Sequence, residues 1–155
     1  MAPIDHVVLI VEDDPDALLL LQRALAKARL KASMKIVMDG DQAVEYLSGK
    51  DPAATPLPCL VLLNLKLPKR SGLEVLEWMR SRPGLRRIPV IIISTSGEEQ
   101  DRLRALQLGA RDYHIKPIDS KRLYRLARRV ATYLRLFCGR ICEGVERDLK
   151  DLSLS

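Results

Sequence analysis

The chain has 155 residues, 47% apolar and 30% charged, with 26 Lys and Arg against 20 Asp and Glu for a formal charge of +6. That size and balance suit one globular domain with a single core. The apolar runs, Val7 to Val11 and Leu60 to Leu63 foremost, fall well short of the roughly 18 residues a membrane helix needs. The start, Met1-Ala2-Pro3-Ile4-Asp5, lacks the basic-then-apolar layout of a secretion signal. A cytoplasmic protein without membrane contact is expected. Three cysteines, Cys59, Cys138 and Cys142, do not suggest a disulfide framework and lack the neighbours of a metal site. They read as small apolar packing residues.

In chain order, strands and helices alternate. His6 to Val11 is a compact run rich in Val, Ile and Leu, the pattern of a strand buried on both faces. Asp14 then reads as an N-cap with Pro15 at the first helical position, and Leu18, Leu21, Leu25 and Ala28 follow at helical spacing. Met34 to Met38 predicts the second strand. Asp39-Gly40-Asp41 starts a helix carrying Ala43, Val44 and Leu47, stopped near Gly49. The Pro-rich stretch from Asp51 to Pro58 is a loop, and Leu60 to Asn64 predicts the third strand. Leu73, Leu76 and Met79 set a helical stripe that closes near Pro83-Gly84. Val90 to Ser94 predicts the fourth strand, Glu98 to Leu108 a helix stopped by Gly109, and Tyr113 to Lys116 the fifth strand. A long helix capped by Asp119 or Ser120 carries Leu123, Leu126, Val130 and Leu134.

Five apolar strands separated by helices imply a doubly wound α/β fold, a parallel sheet with helices on both faces. Sites in such sheets form beyond the carboxyl ends of the strands. There the sequence places Glu12-Asp13, Asn64, Ser94-Thr95 and Lys116-Pro117. Neighbouring carboxylates need neutralising. A hard cation such as Mg²⁺, held by oxygen ligands, does this, and the Lys116 ammonium also can. Taken alone, Glu12 and Asp13 also read as acids at a helix N-terminus. The convergence with the other strand ends is what favours a site.

Five separate pieces, in the right order and spacing, then carry a family likeness. They are Val11-Glu12-Asp13-Asp14-Pro15; Leu62-Leu63-Asn64-Leu65-Lys66-Leu67-Pro68; Ser71-Gly72; Ile88-Pro89-Val90 with Ser94; and Lys116-Pro117. Over residues 5–135 the chain resembles the response-regulator receiver domains of two-component, phosphorelay signalling. It is further similar to single-domain regulators that work with bacterial phytochromes, given the Pro-rich loop, the Ser94-Thr95-Ser96 run and the lack of an output domain. The resemblance implies a CheY-like, flavodoxin-like sheet of five parallel strands in the order 2-1-3-4-5. It implies a Mg²⁺ site made of Glu12, Asp13, residue 64 and the backbone carbonyl of Lys66. Ser94 matches the switch hydroxyl, Tyr113 the switch aromatic, and Lys116 the lysine that contacts the phosphoryl group, with a cis peptide before Pro117.

At one position the chain departs from the pattern. The family has a phosphate-accepting aspartate where Asn64 stands. A carboxylate is a nucleophile whose phosphoryl anhydride can be hydrolysed; a neutral amide with a delocalised nitrogen lone pair is neither. Phosphorylation at residue 64 is expected to fail, Mg²⁺ binding to be weak or absent, and Lys116 to turn toward Asp13. Asn64 is either native to a pseudo-receiver that signals without phosphate, or a replacement that blocks phosphorylation of an ordinary regulator.

The expected layout is a receiver over residues 1–137 and a helical extension over 138–155, where Ile141, Val145, Leu149 and Leu152 keep near-helical spacing. The expected partners are a histidine kinase, of the phytochrome type by resemblance, and a second copy through the last helix and the extension. The cationic run from Lys121 to Arg140 reads as a solvated face. No helix-turn-helix or finger motif accompanies it, so nucleic acid is not among the expected partners. An enzyme is not expected either. A flavin site needs a Gly-, Ser- or Thr-rich phosphate loop where this chain has Glu12-Asp13-Asp14-Pro15-Asp16. A phosphatase built on Asp13 would lack its second aspartate, since Pro15 takes that place. His6 and His114 read as packed strand residues.

Overall fold

The computed structural model describes residues 6–49 and 57–136. Five strands, β1 (Val7–Val11), β2 (Ser33–Val37), β3 (Leu60–Leu63), β4 (Val90–Ser94) and β5 (Asp112–Ile115), form one sheet. Their order is β2-β1-β3-β4-β5, and every pairing is parallel. Between them lie α1 (Pro15–Lys27), α2 (Gly40–Leu47), α3 (Gly72–Arg80) with a short 3₁₀ turn at Pro83–Leu85, and α4 (Glu99–Gln107). The last helix, α5, begins at residue 120 and continues to the end of the described segment at 136.

Alternation along the strands divides the core into two layers. Leu9 and Val11 of β1, Val61 and Leu63 of β3, and Val90 and Ile92 of β4 pack against α2, α3 and α4 through Ala43, Val75, Leu76, Met79 and Ala105. The intervening Val8, Ile10, Leu60, Leu62, Ile91 and Ile93 pack against α1 and α5 through Leu21, Leu25, Leu126 and Val130. A continuous apolar run is therefore what each central strand needs, since both its faces are covered. The two edge strands differ. Most of β2 is exposed, and β5 is only half buried. Each begins one residue earlier than its apolar content suggests, at Ser33 and Asp112, because ladder pairing rather than burial sets an edge strand's limits.

Local signals explain the helix starts. The Asp14 side chain accepts from Asp16 N, with Pro15 at the first position, and Asp39 accepts from Gln42 N. Ser71 and Glu74 form a reciprocal capping box, and Asp119 accepts from Arg122 N at the start of α5. Gly49 and Gly109, at φ 72° and 86°, sit in the left-handed conformation that glycine adopts without strain.

Cys59, just before β3, is fully buried. It packs into the layer under α1 and α5, the role expected of it, and is also disulfide-bonded. Cys138, Cys142 and the expected extension over 138–155 lie outside the described residues.

Candidate functional site

Each strand-end residue is held by bonds that continue the sheet ladder. Glu12 N donates to Val37 O at 3.1 Å, Asn64 N to Val11 O at 3.0 Å, and Lys116 N to Ser94 O at 2.7 Å. Lys116–Pro117 is a cis peptide. Glu12, Asp13, Asn64 and Lys116 thus meet at one sheet edge, as the strand-end reading requires. Glu12 and Asn64 are 5% and 6% exposed, so their polar atoms must be satisfied from within.

Asn64 satisfies them. Its Nδ2 donates to Glu12 Oε2 at 2.8 Å, to Asp13 Oδ1 at 3.2 Å and to the Lys66 carbonyl at 3.2 Å. Its Oδ1 accepts from Lys66 N at 3.3 Å. Two amide hydrogens are shared among three acceptors, and the oxygen faces the one backbone donor. The opposite amide orientation would set Oδ1 against two carboxylates, so the network itself fixes which end is nitrogen. Backbone packing holds the residue in place: a Cβ on Gly72 would sit 2.2 Å from the Asn64 carbonyl oxygen.

Lys116 Nζ pairs with Glu12 Oε1. The expectation that it would turn to Asp13 is thereby corrected. Glu12 is the nearly buried acid, and a buried anion needs its counter-charge more than a partly solvated one does. The other Glu12 oxygen accepts from Asp13 N at 3.0 Å as well as from the Asn64 amide. Both Glu12 oxygens and Asp13 Oδ1 therefore already have donors.

The acidic pair, residue 64 and the Lys66 carbonyl are the oxygen set that the resemblance assigns to a divalent cation. As placed, they do not fit one. Glu12 Oε2, Asp13 Oδ1 and Lys66 O converge on the Asn64 NH₂ group, which occupies the position a metal would need.

The two switch residues are joined through Ser96, which the sequence offered only as part of the Ser94-Thr95-Ser96 run and with no role of its own. Ser94 is fully buried, and its Oγ accepts from Ser96 N at 3.2 Å. Tyr113 donates its hydroxyl to Ser96 O at 2.8 Å, and Ser96 Oγ donates to Asp101 at 2.5 Å. Asp101 lies 3.8 Å from the exposed Lys66 Nζ. Burial, the largest influence, pushes the Tyr113 hydroxyl above the usual phenol range; its hydrogen bond to Ser96 opposes this, and the Asp101 and Glu98 charges add to it. The available signal for Ser96 was a serine two residues before an acidic helix start, an arrangement suited to local turn bonding. His114 is not an idle packed residue: its Nε2 lies 3.0 Å from Asp112, which also meets Arg129.

Residues 8–128 match the family model described as the response regulator receiver domain. The chain belongs to this family. It is 33% identical over 127 residues to the probable methanogenesis regulatory protein FilR2 of Methanothrix harundinacea, covering 82% of each chain. It is 32% identical over 128 residues to response regulator Rcp1 of Synechocystis, covering 82% of this chain and 87% of that one. A crystal structure of the Mn²⁺-bound form of Rcp1 aligns with a TM-score of 0.75 at 31% identity, over 85% of this chain and 96% of that one. The phosphorylated cyanobacterial phytochrome response regulator RcpA aligns equally well, with a TM-score of 0.75 at 33% identity over 83% of this chain and 93% of that one. The receiver's five-stranded order is the order found here. No described helix is long and apolar enough to cross a membrane.

Proposed function

We propose that this chain is a receiver of two-component signalling that does not accept phosphate at residue 64 and acts through contacts of its surface. The observation that carries the reading is the Asn64 amide nitrogen donating at once to Glu12, Asp13 and the Lys66 carbonyl. A nucleophile must present a lone pair to phosphorus; this group presents hydrogens to the acids behind it. Phosphoryl transfer also depends on positioned cationic charge, and here the Lys116 ammonium is engaged by Glu12. The chain is accordingly not an enzyme, Mg²⁺ binds weakly or not at all, and Glu12, Asp13 and Lys116 form a structural cluster.

Family membership and the likeness to the phytochrome response regulator RcpA support a histidine kinase of the phytochrome type as the partner, and we place the chain in the cytoplasm. The exposed Leu20 of α1 borders a largely apolar cavity of about 350 Å³ that reaches Glu12 and Lys116, a surface suited to such contact. Self-association is the second interaction. Beside α5, Leu103 and Leu106 of α4 and Ile115 of β5 are exposed, and they supply the apolar contact a dimer requires. Light scattering over a concentration series should show dimer for the parent and monomer for Leu106→Glu; a parent that stays monomeric throughout removes the dimer from the reading.

The main test is incubation with Mg²⁺ and a small acyl-phosphate donor, followed by phosphate analysis. The expected result is no acid-stable, base-labile phosphate on this chain and clear labelling of Asn64→Asp. Labelling of the unaltered chain would end the proposal.

A further inference from the structure

The helix over 120–136 carries Lys121, Arg122, Arg125, Arg128, Arg129 and Arg135 and no acidic residue, so it equals by itself the net charge of +6 of the whole chain. All six cations are exposed. Arg129 meets Asp112 at 3.2 Å, and Arg128 lies over the Tyr124 ring at 5.9 Å. Lys121, Arg122, Arg125 and Arg135 have no carboxylate partner among the described residues. The pattern contrasts with α4, where Arg102 meets Glu99 and Arg104 meets Glu77, each at 3.5 Å.

Such a helix works against itself. Lys121 with Arg125 and Arg125 with Arg129 are like charges four apart, and each such pair destabilises a helix by about 0.2–0.5 kcal/mol. From residue 121 to residue 135 the stripe runs about 21 Å at 1.5 Å per residue. An extended polyanion lying along it would relieve the repulsion over its full length.

We propose that the outer face of α5 binds the phosphate backbone of nucleic acid without reading sequence. The chemistry of the face favours this occupant over a protein. The buried centre of a protein interface is apolar and depleted in charge. Within this helix the one exposed large apolar residue is Leu136, at its far end. Nucleic-acid interfaces are more polar and far more positive. Five of the six cations are arginine, whose planar fork matches phosphate oxygens. Arg125, Arg128 and Arg129 line a shallow groove with Thr132 and Tyr133, which adds the exposed Thr132 hydroxyl to the cations. A second copy docked stripe to stripe would bring like charges together. Backbone binding needs no helix-turn-helix or finger, so the lack of those motifs does not count against it.

The test uses the full chain and fluorescence anisotropy with an arbitrary duplex of about 20 base pairs, between ~50 and ~200 mM salt. Four to six phosphate contacts give a slope of log affinity against log salt of about −3.6 to −5.4, a loss of about 150- to 2,000-fold over that range. The variant Lys121→Gln/Arg125→Gln/Arg135→Gln should flatten the slope by about 2.7 and keep the parent's circular dichroism. Removing the same charge elsewhere, in Lys31→Gln/Arg82→Gln/Arg102→Gln, should leave the slope as it was. A duplex of different sequence should bind alike. No binding at low salt, a slope near zero, equal loss in both triple variants, or binding of a poly-glutamate peptide with none of the duplex would each overturn the proposal; the last would assign the stripe to an acidic protein.

Discussion

Replacing Asn64 by aspartate should destabilise the metal-free protein, and the size of the effect follows from the distances. The new carboxylate oxygen would stand where Nδ2 now lies, 2.8 Å from Glu12 Oε2 and 3.2 Å from Asp13 Oδ1. Two unit charges about 3 Å apart repel by about 5.5 kcal/mol at an effective dielectric near 20. Proton uptake caps that cost, since keeping one ordinary carboxylate protonated at pH 7 takes about 4 kcal/mol. Lys116 offsets part of it, while lost amide bonds to charged acceptors add about 1.5–3 kcal/mol. The expected net loss for Asn64→Asp is about 2–4 kcal/mol, or roughly 5–15 °C in Tm for a chain of this length. Mg²⁺ should then restore the variant, by about 1.4 kcal/mol when present at tenfold its Kd, and leave the parent nearly unchanged. Thermal and urea unfolding in EDTA and in Mg²⁺ measure all four states. A variant as stable as the parent in EDTA, or an equal gain from Mg²⁺ in both, would refute the reasoning.

Three further outcomes can be checked. Lys116→Met leaves Glu12 buried without its cation and should cost about 3 kcal/mol in urea unfolding, most of it recovered in Lys116→Met/Glu12→Gln. Gly72→Ala, whose Cβ would meet the Asn64 carbonyl oxygen at 2.2 Å, should cost about 1–3 kcal/mol by overpacking and disturb residue 64 amide signals before distant ones. Burial raises the hydroxyls of Tyr46, Tyr113 and Tyr133 above the usual phenol range. A raised folded-state value means their contribution to stability is intact below about pH 10 and is lost as pH climbs through the folded values. Phenolate absorbance should therefore lag the unfolded chain's titration, and Tyr113→Phe should remove one late step.

The central sheet was legible because parallel strands covered on both faces must be continuously apolar, so Val7–Val11, Leu60–Leu63 and Val90–Ser94 announce themselves. The edge strands were harder to bound: β2 begins with the exposed Ser33, Met34 and Lys35 and is held by its ladder to β1. The site's members were also legible, since parallel topology sends strand ends to one edge. Their pairing was not. Whether Lys116 meets Glu12 or Asp13 depends on which acid is buried, and neighbours in sequence can differ completely in that. The Ser94–Ser96–Tyr113 link runs through backbone atoms, which leave no residue-type signature.

The side-chain amide of Asn64 itself offers the most direct test. In a ¹⁵N-labelled sample its two hydrogens should be protected from exchange, as expected for donors buried against Glu12 and Asp13, and should keep their positions when Mg²⁺ is added. A freely exchanging amide, or one displaced by Mg²⁺ in a saturable way, would contradict a pocket filled by the protein's own nitrogen.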